Sequence, residues 1–445
     1  MNKNLRLILF LTFLLTFLIS APLVVLYTAG YRLDLGAGQI VHTGVLNVTS
    51  VPRGATVFID GVEQSEQTPS VFDTVYPGER VIRLEKDGYI SWEKQLTVTS
   101  RETTFIEGAL LFLESEKQVE DDRSTQHSSV SPDHHSLAYL VREGSWVELW
   151  VSDGLAETER VIARLPDEPG AEYTIEWSAL GTYLILNQDG FTQESLTLVD
   201  LDKEQTLDIH RILKLSSEYW WDAWEDDVLY ARLDGVIYQL NIHNTEDAEP
   251  LAFDAQTTSY QHQLLALSQN TDRAVLSTYE NDTASIVTYL PYGTYQFHNT
   301  PGDTALLEDV DRQRIILVDL TNADQPILLN EQATSWHWSA DQDRLVFTDG
   351  FDLEVYTRST HTTTTLTRLS ERIQDVFWYP LGNSVVFVTD AQVISIELDS
   401  RDGHETLELT GGVVGRAWVD PDGEWIYMLG ADGNEMGIFS KRIQR

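Results

Sequence analysis

The chain has 445 residues, 42% of them hydrophobic, which is long enough for two or three domains with real cores. Its 70 acidic against 30 basic residues give a formal charge of −40, a field that repels phosphate backbones and anionic headgroups and so argues against nucleic acid as a partner. There is no cysteine, which excludes disulfides, thiolate metal sites and a cysteine nucleophile.

Residues 1–6 read as a short cytoplasmic end carrying Lys3 and Arg6. Residues 7–27 (LILFLTFLLTFLISAPLVVLY) hold no charge, and their 27−7+1=21 positions suffice to cross a bilayer core, which needs about 20 helical residues. The basic residues ahead of the apolar run predict that the bulk of the chain lies outside the cytoplasmic membrane. A cleaved signal peptide competes with this reading. Pro22 follows the small pair Ser20-Ala21 and the apolar run continues, so an uncleaved, single-pass signal anchor is favoured. Residues 28–43 read as a linker with Gly30, Gly36 and Gly38.

Residues 44–113 read as a small all-β unit. Val45–Ser50, Thr56–Asp60, Glu79–Leu84 and Lys94–Thr99 are strand-like, several alternating at period two. Turns at Pro52-Arg53-Gly54, Asp60-Gly61, Pro77-Gly78 and Asp87-Gly88 separate them. The order Pro52-Arg53-Gly54-Ala55, Asp60-Gly61, Thr68-Pro69, Pro77-Gly78 and Lys86-Asp87-Gly88-Tyr89, followed by Trp92, resembles the PEGA domain, with Arg53 in place of the glutamate of the family's name. The resemblance implies a small β-sandwich of the kind found in bacterial envelope proteins. It implies no catalytic residue.

Residues 114–445 carry a recurring pattern, in which a small or polar residue precedes by six places a hydrophobic residue that opens an apolar run. It begins at Ser131, Ser178, Ser268, Asn299, Ser339, Tyr379 and Asp420, with a shortened copy, Trp224–Leu229, between the second and third. Starts fall from 31 (299−268) to 47 (178−131) residues apart. Such periods, each built of short strands and a polar turn, predict a β-propeller. The first unit shows the parts as His127–Val130, Ser136–Val141, Val147–Val151 and Glu159–Leu165. The fold class is therefore all-β: an N-terminal transmembrane helix, a PEGA-like β-sandwich, then a seven- or eight-bladed propeller, eight being favoured. The short spacing after Ser268 predicts a fourth unit without a full outer strand. The last unit ends one strand short, and either Ala109–Glu114 or Glu116–Asp121 is placed to complete it, protecting an exposed edge. The Ser-Pro-Asp and Asp-Pro-Asp-Gly turns resemble those of TolB-type and WD-repeat-like propellers.

The candidate ligand-binding residues are Trp220, Trp221 and Trp224, an aromatic platform suited to a sugar or a peptide. The competing reading has them filling wedges between blades, as Trp177, Trp336, Trp338, Trp378 and Trp418 would, with Trp221 the best placed for exposure because neighbours on a strand point to opposite faces. Asp420, Asp422 and Glu424, and Asp432, Asn434 and Glu435, gather oxygen ligands but do not fit a calcium loop, so tight solvated turns are favoured. His134-His135 lack a transition-metal spacing and read as surface turn residues. No nucleophile elbow and no phosphate-cradling loop is present, so no catalytic, metal or cofactor residue is assigned and no cofactor is expected. The sequence thus points to a non-enzymatic, membrane-anchored binding or scaffolding protein whose propeller loops engage a protein or a cell-envelope polymer. The alternative is a propeller lyase or glycosidase with its site in the central channel.

Overall fold

The computed structural model describes residues 3–34, 39–121, 125–152, 160–190, 194–209, 218–251, 254–260, 263–280, 283–322, 324–432 and 435–445. Its helix runs Lys3–Thr28, and Leu5–Thr28 within it is long and apolar enough to cross a membrane, with a mean hydropathy of 2.6 over its most apolar window. The segment expected as a linker contains a two-stranded hairpin, Tyr31–Asp34 paired with Gln39–His42.

The chain forms two compact units. The first comprises Met1–Ser115 with Asp399–His404 and Gln444–Arg445. It holds a three-stranded sheet (Ser70–Val75, Gly44–Val51, Thr103–Leu110) and a four-stranded sheet (Val62–Gln67, Thr56–Ile59, Gly78–Glu85, Trp92–Val98). Along Gly44–Val51 every second residue is buried, and the same holds along Trp92–Val98, so one face of each sheet is apolar. Leu46, Val48, Val57, Ile82, Leu84, Trp92 and Leu96 form the shared core, which is the sandwich that the resemblance implied. Lys94 occupies an inward position of that alternation. Its ammonium donates to the Asp399 carbonyl at 2.5 Å and lies 3.8 Å from the Asp399 carboxylate, so the buried charge is paired.

The second unit, Glu116–Leu398 with Glu405–Ile443, contains eight four-stranded antiparallel sheets among the described residues. Their first strands are Thr125–Val130, Glu172–Trp177, Glu218–Trp221, Gln256–Tyr260, Tyr295–His298, Ser335–Trp338, Ile373–Trp378 and Val413–Val419, in sheets one to eight. In sheets one to seven the four strands pair in chain order. Sheet eight takes three strands from the end of the chain and its outermost from Lys117–Asp121, which pairs with Glu435–Arg442. Of the two segments placed to complete the last unit, the second does so.

Several first strands of neighbouring sheets touch, among them Thr125–Val130 with Glu172–Trp177, and Ser335–Trp338 with Ile373–Trp378. Thr125–Val130 also touches Val413–Val419, so the series closes into a ring with the first strands innermost. Cores lie between sheets. Leu140 and Leu149 of sheet one meet Leu184 and Leu186 of sheet two, and Leu137 and Tyr139 meet Trp418 and Tyr427 of sheet eight. A second strand such as Tyr183–Asp189 therefore packs on both faces, which is why it reads as a continuous apolar run and not as an alternation.

The sequence repeat has a local cause. Its first residue closes a loop onto the residue five places on: Ser131 N–H donates to Ser136 O, Ser178 to Tyr183, Ser339 to Arg344, Tyr379 to Ser384 and Asp420 to Trp425. Where that first residue is serine, its hydroxyl accepts the returning N–H, at 3.0 Å in Ser131, Ser178 and Ser339 alike. Two copies were misphased. In sheet three the loop starts at Asp222, whose N–H donates to Val228 O, not at Trp224. In sheet four Ser268 lies within the second strand, Gln263–Gln269, and Asn270 begins the next hairpin. The short spacing came from that misplacement, and sheet four has a full outer strand, Thr283–Pro291.

Candidate functional site

Within the ring, a cavity of about 760 Å³ opens where the innermost strands of sheets one to six run out into their loops. Each of these strands ends in residues whose side chains lean to alternate faces while the strand itself borders the channel. Trp177, Tyr219, Trp220, Trp221, Phe297, Trp336 and Trp338 supply an aromatic wall, each partly exposed. Glu176, Gln256, Gln296, His298 and Asn299 add polar groups.

The three tryptophans singled out from the sequence separate. Trp221 and Tyr219 lie on one face of Glu218–Trp221 and pack toward Ile185 and Leu198 of sheet two. Trp220 lies on the other, stacked on Tyr230 at 5.8 Å, its indole donating to Thr257 O at 2.7 Å in sheet four. Both border the cavity. Trp224 sits past the strand end, donates to Thr300 O at 3.1 Å, packs with the core of sheets four and five, and is not among the cavity's lining residues. Equivalent indoles also tie sheets together: Trp177 donates to Ser129 O at 3.2 Å and Trp378 to His337 O at 3.0 Å. These tryptophans thus bridge sheets, and several of them also show part of a ring to the cavity.

The sequence reading missed the polar residues beside them. Glu176 precedes Trp177 and accepts from the Tyr219 hydroxyl at 3.1 Å. It is exposed by area yet crowded by protein, as a group on a cavity wall is, and that crowding pushes its carboxyl up from the ordinary 4.5 against the opposing hydrogen bond. Asp222, fully buried, accepts from the backbone N–H groups of Trp224, Glu225 and Ser259 and from the Tyr230 and Ser259 hydroxyls. Its lone pairs are used by the scaffold. The available signal was position, since Glu176 and Asp222 stand at or just before the loop that follows an innermost strand.

His134 is not a solvated turn residue. The loop carrying it, with His134 at φ 57°, reaches other sheets of the ring. Its ring stacks on Phe377 at 4.8 Å, meets His337 edge-on at 4.7 Å, and places Nε2 3.4 Å from Asp375 Oδ2. His135 Nδ1 lies 2.7 Å from Val419 O. Ser335 donates to Asp375 at 2.6 Å. Burial pushes the Asp375 carboxyl up, but His134 and Ser335 outweigh it and hold it below the ordinary 3.8. His337 Nδ1 accepts from Trp378 N–H at 3.2 Å, and burial, with His134 beside it, holds this imidazole well below 6.5, so it is neutral.

A depressed histidine means that the unfolded chain takes up the extra proton. Stability is therefore expected to fall as pH drops below about 6.5, with the Asp375 contribution lost further down, below about 4. Thermal melts between pH 7.5 and 5 test this. His337→Gln should remove the first decline, and an unchanged slope in that variant would refute the assignment.

The acidic turn at Asp420 behaves as a turn. Asp420 accepts Trp425 N–H at 2.6 Å, burial pushes its carboxyl up, and Glu424 pairs with Arg442 at 2.8 Å. Gly423 there has φ 72°, and a Cβ would meet the Tyr379 hydroxyl at 2.8 Å. Gly433 and Asn434 lie outside the described residues. No group of three or more histidine or carboxylate side chains arranged to hold a metal ion occurs among the described residues.

The PEGA domain family model matches residues 43–111. No curated protein matches the chain. Solved structures similar to it include a eukaryotic initiation factor (10% identity, TM-score 0.48, covering 73% of this chain and 90% of that one) and the RRP9 WD40 repeats (9% identity, TM-score 0.41, covering 74% and 98%).

Proposed function

We propose that this protein is a membrane-anchored binding module, held by its N-terminal helix with the bulk of the chain after that helix outside the cytoplasmic membrane of a bacterial envelope. Each four-stranded sheet of the second unit is read as one blade of an eight-bladed, TolB-like propeller. The channel mouth engages a protein partner, and the innermost-strand tryptophans are the contact residues, Trp220 and Trp221 among them. Support comes chiefly from one observation: the cavity is walled by partly exposed aromatics, while Asp222, His134, Asp375 and His337 beside it are occupied by one another or by the scaffold. Aromatic side chains give large contact area for little conformational entropy, as a recognition surface requires.

The test uses the full chain, solubilised in detergent, to capture partners from envelope extracts, alongside a screen for lyase and glycosidase turnover. Recovery of an enriched partner that drops roughly tenfold in Trp336→Ala, a loss on the scale of one interface anchor, is the expected result. Recovery unaffected by that substitution, or turnover that it abolishes, would reverse the reading.

A further inference from the structure

The cavity's charge and walls specify what kind of group it takes. Among the described residues that line it there is no lysine or arginine, whereas Glu176 and Asp133 stand exposed on its border. Trp177, Trp221, Trp336 and Trp338 are among the residues that line it. An aromatic face carries the negative end of a quadrupole and attracts an ammonium or guanidinium. The same family of indoles already receives guanidinium groups from within the chain: Arg344 lies 4.7 Å from the Trp378 ring centroid and Arg232 5.9 Å from that of Trp220. The crowded Glu176 carboxyl is costly to ionise on the cavity wall, and an entering cation would relieve that cost. The overall charge of −40 draws cations inward and repels anionic ligands.

We propose that the cavity receives an arginine or lysine side chain presented by a partner protein, held between indole faces and the Glu176 carboxylate. This rests on the binding reading above and adds the chemistry of the guest. A cavity of about 760 Å³ exceeds one side chain, so residues flanking the cation enter with it, and a peptide segment fits better than a free amine.

Isothermal titration of the full chain in detergent provides the test, with a blocked glycine–arginine–glycine peptide, the matching glutamate peptide, methylguanidinium and chitotriose as probes. The arginine peptide should bind, the glutamate peptide should not, and Glu176→Gln should weaken the arginine peptide about tenfold. Glu172→Gln, which removes an exposed carboxylate at the far end of the same strand, should leave binding unchanged and controls for loss of general charge. Methylguanidinium binding as tightly as the peptide would overturn the assignment to a partner's side chain. Chitotriose binding, insensitive to Glu176→Gln, would overturn the cation while leaving the binding cavity in place. Failure of every probe, together with partner capture indifferent to Trp336→Ala, would overturn both.

Discussion

Asp222→Ala is expected to lower the stability of the propeller unit by about 3–5 kcal/mol, among the largest effects a single substitution should have in this chain. The carboxylate is fully buried and is the common acceptor for three backbone N–H groups and two hydroxyls, drawn from the loop of sheet three, its second strand and the first strand of sheet four. Removing it strands those donors away from water, and each unsatisfied group costs about 1–3 kcal/mol before relaxation. Asp222→Asn keeps one acceptor oxygen but turns the other position into a donor facing donors, so about half the loss is expected. Guanidinium unfolding followed by tryptophan fluorescence measures this. A shift below about 1 kcal/mol for the alanine variant would show that water replaces the carboxylate, contrary to the geometry.

Trp418→Ala should cost about 3–5 kcal/mol for a different reason. Trp418 is fully buried, stacks on Tyr427 at 5.5 Å and packs with Leu137 and Tyr139 of sheet one, so it fills the seam where the ring closes. Alanine would leave a large void at the one seam where sheets far apart in sequence meet. Its indole nitrogen has no hydrogen-bond partner among the described residues, so Trp418→Phe forfeits little beyond volume and should cost about 1–2 kcal/mol. Differential scanning calorimetry of the two variants distinguishes the cases, and equal losses would mean that the indole N–H matters more than the ring.

The repeat was legible because each loop is closed by its own residues. Ser131, Ser178 and Ser339 bond the residue five places on, so the chemistry sits inside one window of sequence. The reading slipped where that chemistry changes. In sheet three an aspartate serves five donors, two of them on Ser259 of sheet four, in place of a serine, and Trp224 drew attention from Asp222. In sheet four a hairpin turn, Asn270 N–H to Arg273 O, imitated the loop signal at the wrong strand end. The tryptophans were legible as a set, yet the split of Trp220 and Trp221 from Trp224 depends on which neighbouring sheet each meets.

By itself the sequence determined the apolar N-terminal helix, the alternating strands of the segment that matches the PEGA domain model and the succession of four-stranded sheets, because hydrophobic periodicity and turn chemistry act between residues close along the chain. Only the tertiary structure decided that Lys117–Asp121 completes the last sheet, that His134 meets Asp375 and His337, and that Glu176 and Tyr219 share a cavity wall with the tryptophans. Those partners lie from about forty to more than three hundred residues apart, and closing the ring is what brings them within hydrogen-bonding or stacking distance.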